Sequence, residues 1–407
     1  MLDKRYYTTN NWQRPNAAEN SFRLQSVIEL IKEVELDGDK AINALSKRFD
    51  GFTPEFIPLK PFEDYQLDSS LEMAIVNAAK RIEAFCKFQK ESLIDRDYSD
   101  DTGRYGFCYR PIKRIGVYIP GGRFPLISTA LMTLIPAKIA GCEERIACSP
   151  SDHPAILAAA SLAGATAFIK IGGVQAISAL ATGYAGLEPV QMIVGPGNQY
   201  VNAAKQYFQT RLAIDVPAGP SELLILANDT EQLDWLIKDM AAQAEHDPQA
   251  CSVFVSDNIN LICKLYETIS ADDYLWNLYQ QQQICLVLAD DKADMIKFSD
   301  EFAPEHLLLA DNRIQTAELT NFGAVFIGEN SAVAYGDYCS GPNHTLPTMG
   351  SAKYASGLSV ASFLKIQTLQ QVNANGGQSL GQIAAKLAEA EQLVWHQRSI
   401  EVRSSQA

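Results

Sequence analysis

The sequence predicts an α/β protein with two α/β units in tandem, flanked by a mostly helical N-terminal region and a C-terminal helical arm. The chain of 407 residues exceeds the length at which a single hydrophobic core usually keeps growing. From Arg114 onwards, short apolar runs ended by Gly or Pro alternate with segments of helical periodicity. That alternation is typical of a parallel sheet with crossover helices, and it occurs in two successive series.

Each region follows from its own pattern. Residues 1–112 form the predicted helical region, because Val27–Leu36 and Leu71–Gln89 carry apolar residues at three- and four-residue spacing. Residues 113–221 form the first unit, with strands at Ile115–Ile119, Arg145–Cys148, Ala167–Ile171 and Met192–Val194. Residues 222–366 form the second, with strands at Glu222–Ala227, Ser252–Ser256, Ile284–Ala289, His306–Ala310 and Ala324–Ile327. Residues 367–407 form the arm, helical over 379–402.

Composition excludes several classes of partner. The formal net charge of -14 would repel nucleic acid and anionic membranes, so neither is expected to bind. The longest apolar runs, such as Leu223–Ala227, are far shorter than the ~20 residues that cross a bilayer. The N-terminal residues show no secretory signal, and a cytoplasmic location is expected.

The cysteines are predicted to be reduced and structural. Eight are scattered through the chain without a Cys-x-x-Cys pair, and several lie within or beside apolar runs. Any metal site would therefore use histidine, carboxylate or amide ligands.

Only five histidines are present, and four stand among other polar residues capable of chemistry. Gln243 and His246 are expected on one face of a helix at i and i+3, as a chelating pair would be. For this fragment alone, a histidine that satisfies free carbonyls at a helix C-terminus is the favoured interpretation. His396 lies on the last predicted helix, about a turn and a half after Glu391, and that pair alone resembles a solvated surface.

Two further segments carry candidate chemistry. Glu305 and His306 stand where a Pro-terminated loop enters an apolar strand, which suits general acid/base work, although a solvated pair is the alternative. Asp337 and His344 lie in Gly328–Gly357, an aperiodic stretch of a length more often functional than idle.

Three glycine-containing turns each follow a predicted strand and precede a helix, so their amides could meet a phosphate group. These turns are Pro120–Gly122, Gly172–Gly173 and Gly195–Asn198. None matches the dinucleotide fingerprint, because Tyr200 stands where a glycine or alanine would be needed. A standard dinucleotide-binding motif is therefore absent from the sequence.

Taken together and in order, these segments resemble histidinol dehydrogenases. The resemblance covers about residues 25–400 and is carried by the segments 116–122, 195–198, 215–222, 243–248, 302–307 and 336–348. It implies two Rossmann-like units that lack the glycine fingerprint. It further implies a cytoplasmic homodimer that performs the last step of histidine biosynthesis, oxidising L-histidinol through histidinaldehyde to L-histidine and reducing two NAD.

The resemblance also implies roles for individual residues. One Zn²⁺ per subunit would be held by Gln243, His246, Asp337 and His396. His306 would take the alcohol proton, and Glu305 would help activate the water for the second oxidation. The metal ligands and His306 would also contact substrate, together with Ser221, His344 and Glu391. NAD would meet Tyr118, Gln175 and Asn198, and the C-terminal arm would bring Glu391 and His396 to the partner's site.

Two alternatives remain open on the sequence. A paralogue could keep zinc and NAD but oxidise another alcohol, such as a sulfonated diol. A non-catalytic metal- or nucleotide-binding relative would be expected to lose Glu305 and His306 first, and both are present. The sequence departs from the family pattern at Cys86, where histidine is common, and at Ala181–Tyr184, near the expected cofactor.

Overall fold

The computed structural model describes residues 5–15, 20–122, 125–216 and 219–404. Its strands are β1 (Tyr7–Thr8), β2 (Glu55–Phe56), β3 (Arg96–Asp100), β4 (Gly103–Pro111), β5 (Arg114–Tyr118), β6 (Glu144–Ser149), β7 (Ala167–Lys170), β8 (Met192–Val194), β9 (Ala213–Ile214), β10 (Glu222–Leu226), β11 (Cys251–Ser256), β12 (Ile284–Leu288), β13 (His306–Leu309), β14 (Ala324–Ile327) and β15 (Leu364–Val372). Its α-helices are α1 (Asn20–Asp37), α2 (Asp39–Phe49), α3 (Ser69–Glu91), α4 (Ile127–Ala140), α5 (Pro154–Ala163), α6 (Gly173–Thr182), α7 (Gln199–Phe208), α8 (Leu233–Ala244), α9 (Ile259–Ser270), α10 (Asp273–Gln280), α11 (Lys292–Phe302), α12 (Val333–Tyr338), α13 (Ala374–Ala390) and α14 (Val394–Ser404).

Two sheets of the same topology confirm the tandem α/β prediction. The first sheet has the order β2-β7-β6-β5-β8-β9, and the second has the order β1-β12-β11-β10-β13-β14. In each, the five strands that follow one another along the chain lie in the order 3-2-1-4-5 and pair in parallel, as in a Rossmann fold without its sixth strand. The strand order reverses between β5 and β8 in the first sheet and between β10 and β13 in the second.

Helices cover both faces of each sheet, which explains why the strands are visible as apolar runs. In β10, Leu223 and Ile225 join the core on one face, while Leu224 and Leu226 join the core on the other. Because side chains alternate along a strand, burial on both faces requires a continuous apolar segment. The nine predicted strands are confirmed, each with bounds within one residue of the prediction.

The antiparallel sheet β15-β4-β3 was not predicted. The N-terminal region contains the three helices α1, α2 and α3, but it ends in the β3–β4 hairpin rather than in helix. All five residues of β3 are exposed, so the sequence lacks the apolar run that reveals a buried strand. The predicted boundary at 366/367 falls inside β15, and the C-terminal arm therefore begins as a strand.

The arm itself is a pair of helices rather than one. Gln392 has a positive φ of 60°, and the N–H of Leu393 bonds back to the carbonyl of Ala388, so α13 ends in a left-handed cap. The prediction that Glu391 and His396 share one helix is therefore wrong. Within the described ranges, no helix is both long and apolar enough to span a membrane.

The start of α13 rests on the β3–β4 turn, where Asn373 donates its backbone N–H to the carbonyl of Thr102. A Cβ atom on Gly376 would overlap that same carbonyl oxygen. The nearest atom to a Cβ on Gly377, in contrast, would be the carbonyl oxygen of Arg403 at 3.5 Å, an ordinary contact.

We therefore predict that Gly376→Ala destabilises the protein by about 1–3 kcal/mol, because backbone cannot move aside as a flexible side chain can. Gly377→Ala is the matched control and is expected to be neutral or stabilising by up to about 1 kcal/mol, since alanine favours helix. Urea unfolding measures both. Equal midpoints for the two variants would contradict the proposed docking of α13.

Candidate active site

The strongest cluster of chemical groups lies at the amino-terminal edge of the second sheet. Glu305 and His306 stand at the start of β13, and both are buried. Beside them lies Glu222, the first residue of β10. The next residue, Leu223, pairs with His306 in the parallel ladder. The sheet thus brings together one imidazole and two carboxylates from segments more than 80 residues apart.

The main chain of Glu222 holds both members of the Glu305–His306 pair. Its N–H donates to Oε2 of Glu305 at 2.8 Å, and its carbonyl oxygen lies 3.2 Å from Nδ1 of His306. A carbonyl oxygen can only accept, so Nδ1 carries the proton and Nε2 is the basic nitrogen.

The charges around His306 decide its protonation. Oε2 of Glu305 lies 3.4 Å from Nδ1, and Oδ1 of Asp337 lies 3.7 Å from Nε2. Burial lowers the pKa of His306, but the attraction of these carboxylates and the hydrogen bonds outweigh it and raise the pKa to about 9. At neutral pH the ring is therefore mostly protonated, and Nε2 accepts a proton only in the neutral form, which binds that proton tightly.

Asp337 and His344 come from the long aperiodic segment that was predicted to be functional. Asp337 lies on α12, and Nδ1 of His344 donates to its carbonyl oxygen at 2.9 Å. Nε2 of His344 is buried and has no hydrogen-bond partner, and burial lowers the pKa of this imidazole. A buried, unpaired nitrogen next to the acid/base pair is suited to receive a polar group of a ligand.

The other predicted metal ligands lie on separate elements. Gln243 is buried in the last turn of α8, but His246 is exposed and follows the helix end at Ala244. The two residues therefore do not share a helical face as predicted, because α8 ends two residues before His246. His396 is exposed on α14. No group of three or more His, Cys, Asp or Glu side chains within the described part of this single chain is arranged to hold a metal.

The three predicted cofactor residues meet at the carboxyl edge of the first sheet. Tyr118 ends β5, Gln175 lies in the first turn of α6 after β7, and Asn198 caps α7 after β8. The crevice between β5 and β8, where strand order reverses, is the usual ligand site of such sheets. Gln175 is held by Asp50, whose carboxylate accepts hydrogen bonds from its amide at 2.8 Å and from Gly172 at 3.1 Å.

A buried ion pair shapes the turn at Gly195 in this crevice. Lys205 and Asp215 contact each other with side chains 2% and 1% exposed. Lys205 also donates to the Gly195 carbonyl at 2.9 Å, while Asp215 accepts from the Gly195 N–H at 2.7 Å. Gly195 has φ +115°, and a Cβ there would overlap the carbonyl oxygen of Tyr118. The pair thus fixes the backbone of the turn that follows β8.

A short linker joins the two sites. β9 ends at the carboxyl edge of the first sheet, and β10 starts with Glu222 at the amino edge of the second. The seven steps from Asp215 to Glu222 span at most about 25 Å. Gly219, within this linker, donates its N–H to the hydroxyl of Thr348. Ser221, a predicted substrate contact, is the last linker residue before β10.

Sequence reasoning missed several residues that hold the site together. Glu222 was predicted only as the first residue of a strand. A charged residue at the start of a buried strand is a signal that could have indicated its place in the site. Arg14, which pairs with Glu222, and Asp50, which holds Gln175, lie in the N-terminal region, where no functional residue was predicted. Nothing local in their sequence distinguishes them, because their partners are more than 120 residues away.

Comparison with known proteins identifies the family. A profile of histidinol dehydrogenases matches residues 13–404. The chain belongs to the histidinol dehydrogenase family. It is 40% identical over 397 residues to a histidinol dehydrogenase of Methanothermobacter thermautotrophicus, covering 93% of each chain. It is 38% identical over 395 residues to one of Methanocaldococcus jannaschii, covering 93% of this chain and 92% of the relative.

Structural comparison agrees with the sequence match. The crystal structure of histidinol dehydrogenase from Elizabethkingia anophelis superposes with a TM-score of 0.86 at 34% identity, and 99% of each chain is covered. Enzymes of the histidinol dehydrogenase family are NAD-dependent oxidoreductases, and this fold accordingly has two Rossmann-like units.

Two residues at which the sequence departs from the family pattern, Cys86 and Tyr184, are buried. Cys86 lies on α3 and faces the core, where burial raises the pKa of its thiol to about 12. Tyr184 is buried and donates its hydroxyl to Asn43 at 2.7 Å. All eight cysteines are unpaired in the structure, and six of them are buried, where they pack as small apolar side chains.

We predict that Lys205→Met lowers the free energy of unfolding by about 3–5 kcal/mol, because it leaves the Asp215 carboxylate buried without a counter-charge. Because the Gly195 turn loses its shape, the Michaelis constant for NAD should rise several-fold. The double variant Lys205→Met/Asp215→Asn should recover much of the stability, since no unpaired charge remains.

The matched control is Lys238→Met, which removes an exposed lysine paired with Asp234. It should cost less than about 0.5 kcal/mol. Thermal or urea unfolding, with NAD titrations of initial rate, measures these effects. A Lys205→Met protein as stable as Lys238→Met would disprove the structural role of the buried pair.

Proposed function

We propose that this protein oxidises L-histidinol to L-histidine through histidinaldehyde, reducing two NAD, as the last step of histidine biosynthesis. The observation that carries the proposal is the buried Glu305–His306 pair, whose basic Nε2 faces Asp337 and lies near the unpaired nitrogen of His344. Membership of the histidinol dehydrogenase family supports the substrate.

The pair supplies the proton transfers of both oxidations. In the first, the neutral form of His306 accepts the hydroxyl proton at Nε2 while a hydride leaves the carbon that bears the hydroxyl for the nicotinamide, which gives the aldehyde and NADH. Glu305, close to Nδ1, stabilises the imidazolium that results. In the second, Glu305 helps to remove a proton from the water that hydrates the aldehyde, and the hydrate loses a hydride to a second NAD and a proton to the pair.

The cofactor and substrate contacts are proposed from the matching positions. NAD would lie at the carboxyl edge of the first sheet against Tyr118, Gln175 and Asn198. The substrate would extend from there past Ser221 to the second sheet. Its polar groups would be received by His344 and, from the arm, by Glu391. The short linker between the two sheet edges supports this arrangement, because it keeps both edges of one chain close.

We propose that one Zn²⁺ per subunit is held by Gln243, His246, Asp337 and His396. The nitrogen and oxygen donors of this set suit zinc, and His396 would come from the partner subunit. When bound, zinc would orient the substrate by its imidazole and amino nitrogens.

The free cysteines support a reducing compartment, and we propose the cytoplasm.

The protein should release two NADH for each L-histidinol consumed, measured by absorbance against histidine formed. Chelation should abolish turnover, and added Zn²⁺ should restore it. Sulfonated diols and other primary alcohols serve as controls and should be oxidised poorly. Faster oxidation of such an alcohol would replace the proposed substrate, and undiminished turnover after verified metal removal would exclude the zinc proposal.

We further propose a homodimer in which the arm of one subunit completes the other's active site. The arm exposes large apolar side chains at Ile383, Leu387, Trp395 and Val402. An apolar surface of this kind on a two-helix extension is typical of a protein interface. His396 stands among these residues on α14, so the same contact would carry it to the partner.

Complementation tests the shared site. His306→Ala and His396→Ala subunits should each be inactive alone, but an equimolar mixture after subunit exchange should regain about a quarter of wild-type activity, because half the dimers are mixed and each has one intact site. A mixture of His306→Ala with Glu305→Ala, both in the same half-site, is the control and should stay inactive. No recovery in the first mixture, with exchange verified by mass, would refute the shared site.

A further inference from the structure

The N-terminal segment, residues 5–15, lies across the second unit and is here termed the strap. Its strand β1 pairs in parallel with β12, and Thr9 donates its hydroxyl to Asp294 at 2.8 Å. Trp12 packs on Phe298 and Phe302 of α11, with ring centroids 5.5 and 5.3 Å apart. These contacts fix the strap on the face of the second sheet opposite α8.

Arg14, the second-last residue of the strap, has its guanidinium at the start of β10. Its Nε lies 2.7 Å from Oε1 of Glu222, and its Nη2 donates to the carbonyl of Phe302 at 2.6 Å. The guanidinium also stacks 4.2 Å from the centre of the Phe302 ring. Three different interactions thus hold one side chain, which is the arrangement that distinguishes arginine from lysine.

Glu222 needs this partner because its carboxylate is buried. Burial raises its pKa to about 7, with Arg14 opposing the rise and the neighbouring Glu305 adding to it. The backbone N–H of Met349 donates to Oε2 at 3.0 Å. Glu222 therefore has its side chain clamped from the strap and from the loop at Met349, while its N–H and carbonyl hold Glu305 and His306 on the other side.

We propose that Arg14 and Glu222 are positioning residues for the acid/base pair, so that the N-terminal strap takes part in proton transfer without touching the substrate. The inference rests on the proposed function of Glu305 and His306. Without Arg14, the buried Glu222 carboxylate has no counter-charge of its own and faces the neighbouring Glu305 carboxylate. Glu222 then relaxes away, and the backbone groups that align Glu305 and His306 move with it.

The test is a set of variants compared with the wild-type holoenzyme: Arg14→Met, Arg14→Lys, Glu222→Gln and Arg14→Met/Glu222→Gln. Arg114→Met is the matched control. It removes a similar arginine, whose Nε is 2.7 Å from Glu144 in the first unit and whose side chain is 24% exposed against 19% for Arg14.

Arg14→Met should lower kcat roughly 10- to 100-fold, with KM for the alcohol within about threefold of wild type, because a shift of about 1 Å in a catalytic group has that effect. Arg14→Lys should retain more activity than Arg14→Met. The double variant should regain at least about threefold in kcat over Arg14→Met, since an amide in place of the Glu222 carboxylate can still accept from Met349 and no unpaired charge remains. Arg114→Met should keep the wild-type kcat.

Three results would overturn the inference. The first is a kcat for Arg14→Met that is no lower than the kcat of Arg114→Met. The second is a loss of kcat in the double variant that equals the product of the losses in the two single variants. The third is a kcat that falls in proportion to the thermal midpoint across all five variants. Failure of the proposed function is distinguishable, because it appears in the wild type as absent turnover of L-histidinol. The variants can then be compared on whichever alcohol the wild type oxidises.

Discussion

The parallel pairing of β10 with β13 is the constraint on which the site depends. The backbone groups of both strands must be satisfied inside the sheet, so the register that pairs Leu223 with His306 is fixed by hydrogen bonding and by burial on both faces. In this register, the main chain of Glu222 meets Glu305 and His306 at the sheet edge. A slip of one residue would turn His306 away from α8 and α12 and towards the strap.

The two sheets share a topology but use opposite edges. Tyr118, Gln175 and Asn198 lie at the carboxyl edge of the first sheet, the usual ligand edge of such folds. Glu305 and His306 lie at the amino edge of the second. The linker from β9 to β10 connects these two edges, because it leaves the first sheet at its carboxyl edge and enters the second sheet at its amino edge.

Sequence patterns predicted what local physics determines. Strands buried on both faces need continuous apolar runs, so all nine predicted strands of the two units are present. The exposed β3 carries no such signal, and the break at Gln392 depends on one residue adopting a left-handed conformation that glutamine rarely adopts.

The site was only partly predictable for a related reason. Glu305 and His306 could be recognised because they are adjacent in sequence, whereas Arg14 and Glu222 are 208 residues apart and meet only through the tertiary fold. The assignments of metal, cofactor and substrate residues came from family resemblance and remain predictions.

The strap has a consequence for how the protein is made. Arg14 and Trp12 leave the ribosome well before Phe302, which contacts both side chains and follows Arg14 by 288 positions. At ordinary rates of synthesis, the strap is therefore synthesised roughly 15–60 s before α11, the helix on which it packs. During that time, an aromatic side chain and an uncompensated cation are exposed to the cell, and the second unit cannot close around Glu222 until most of the chain has been translated.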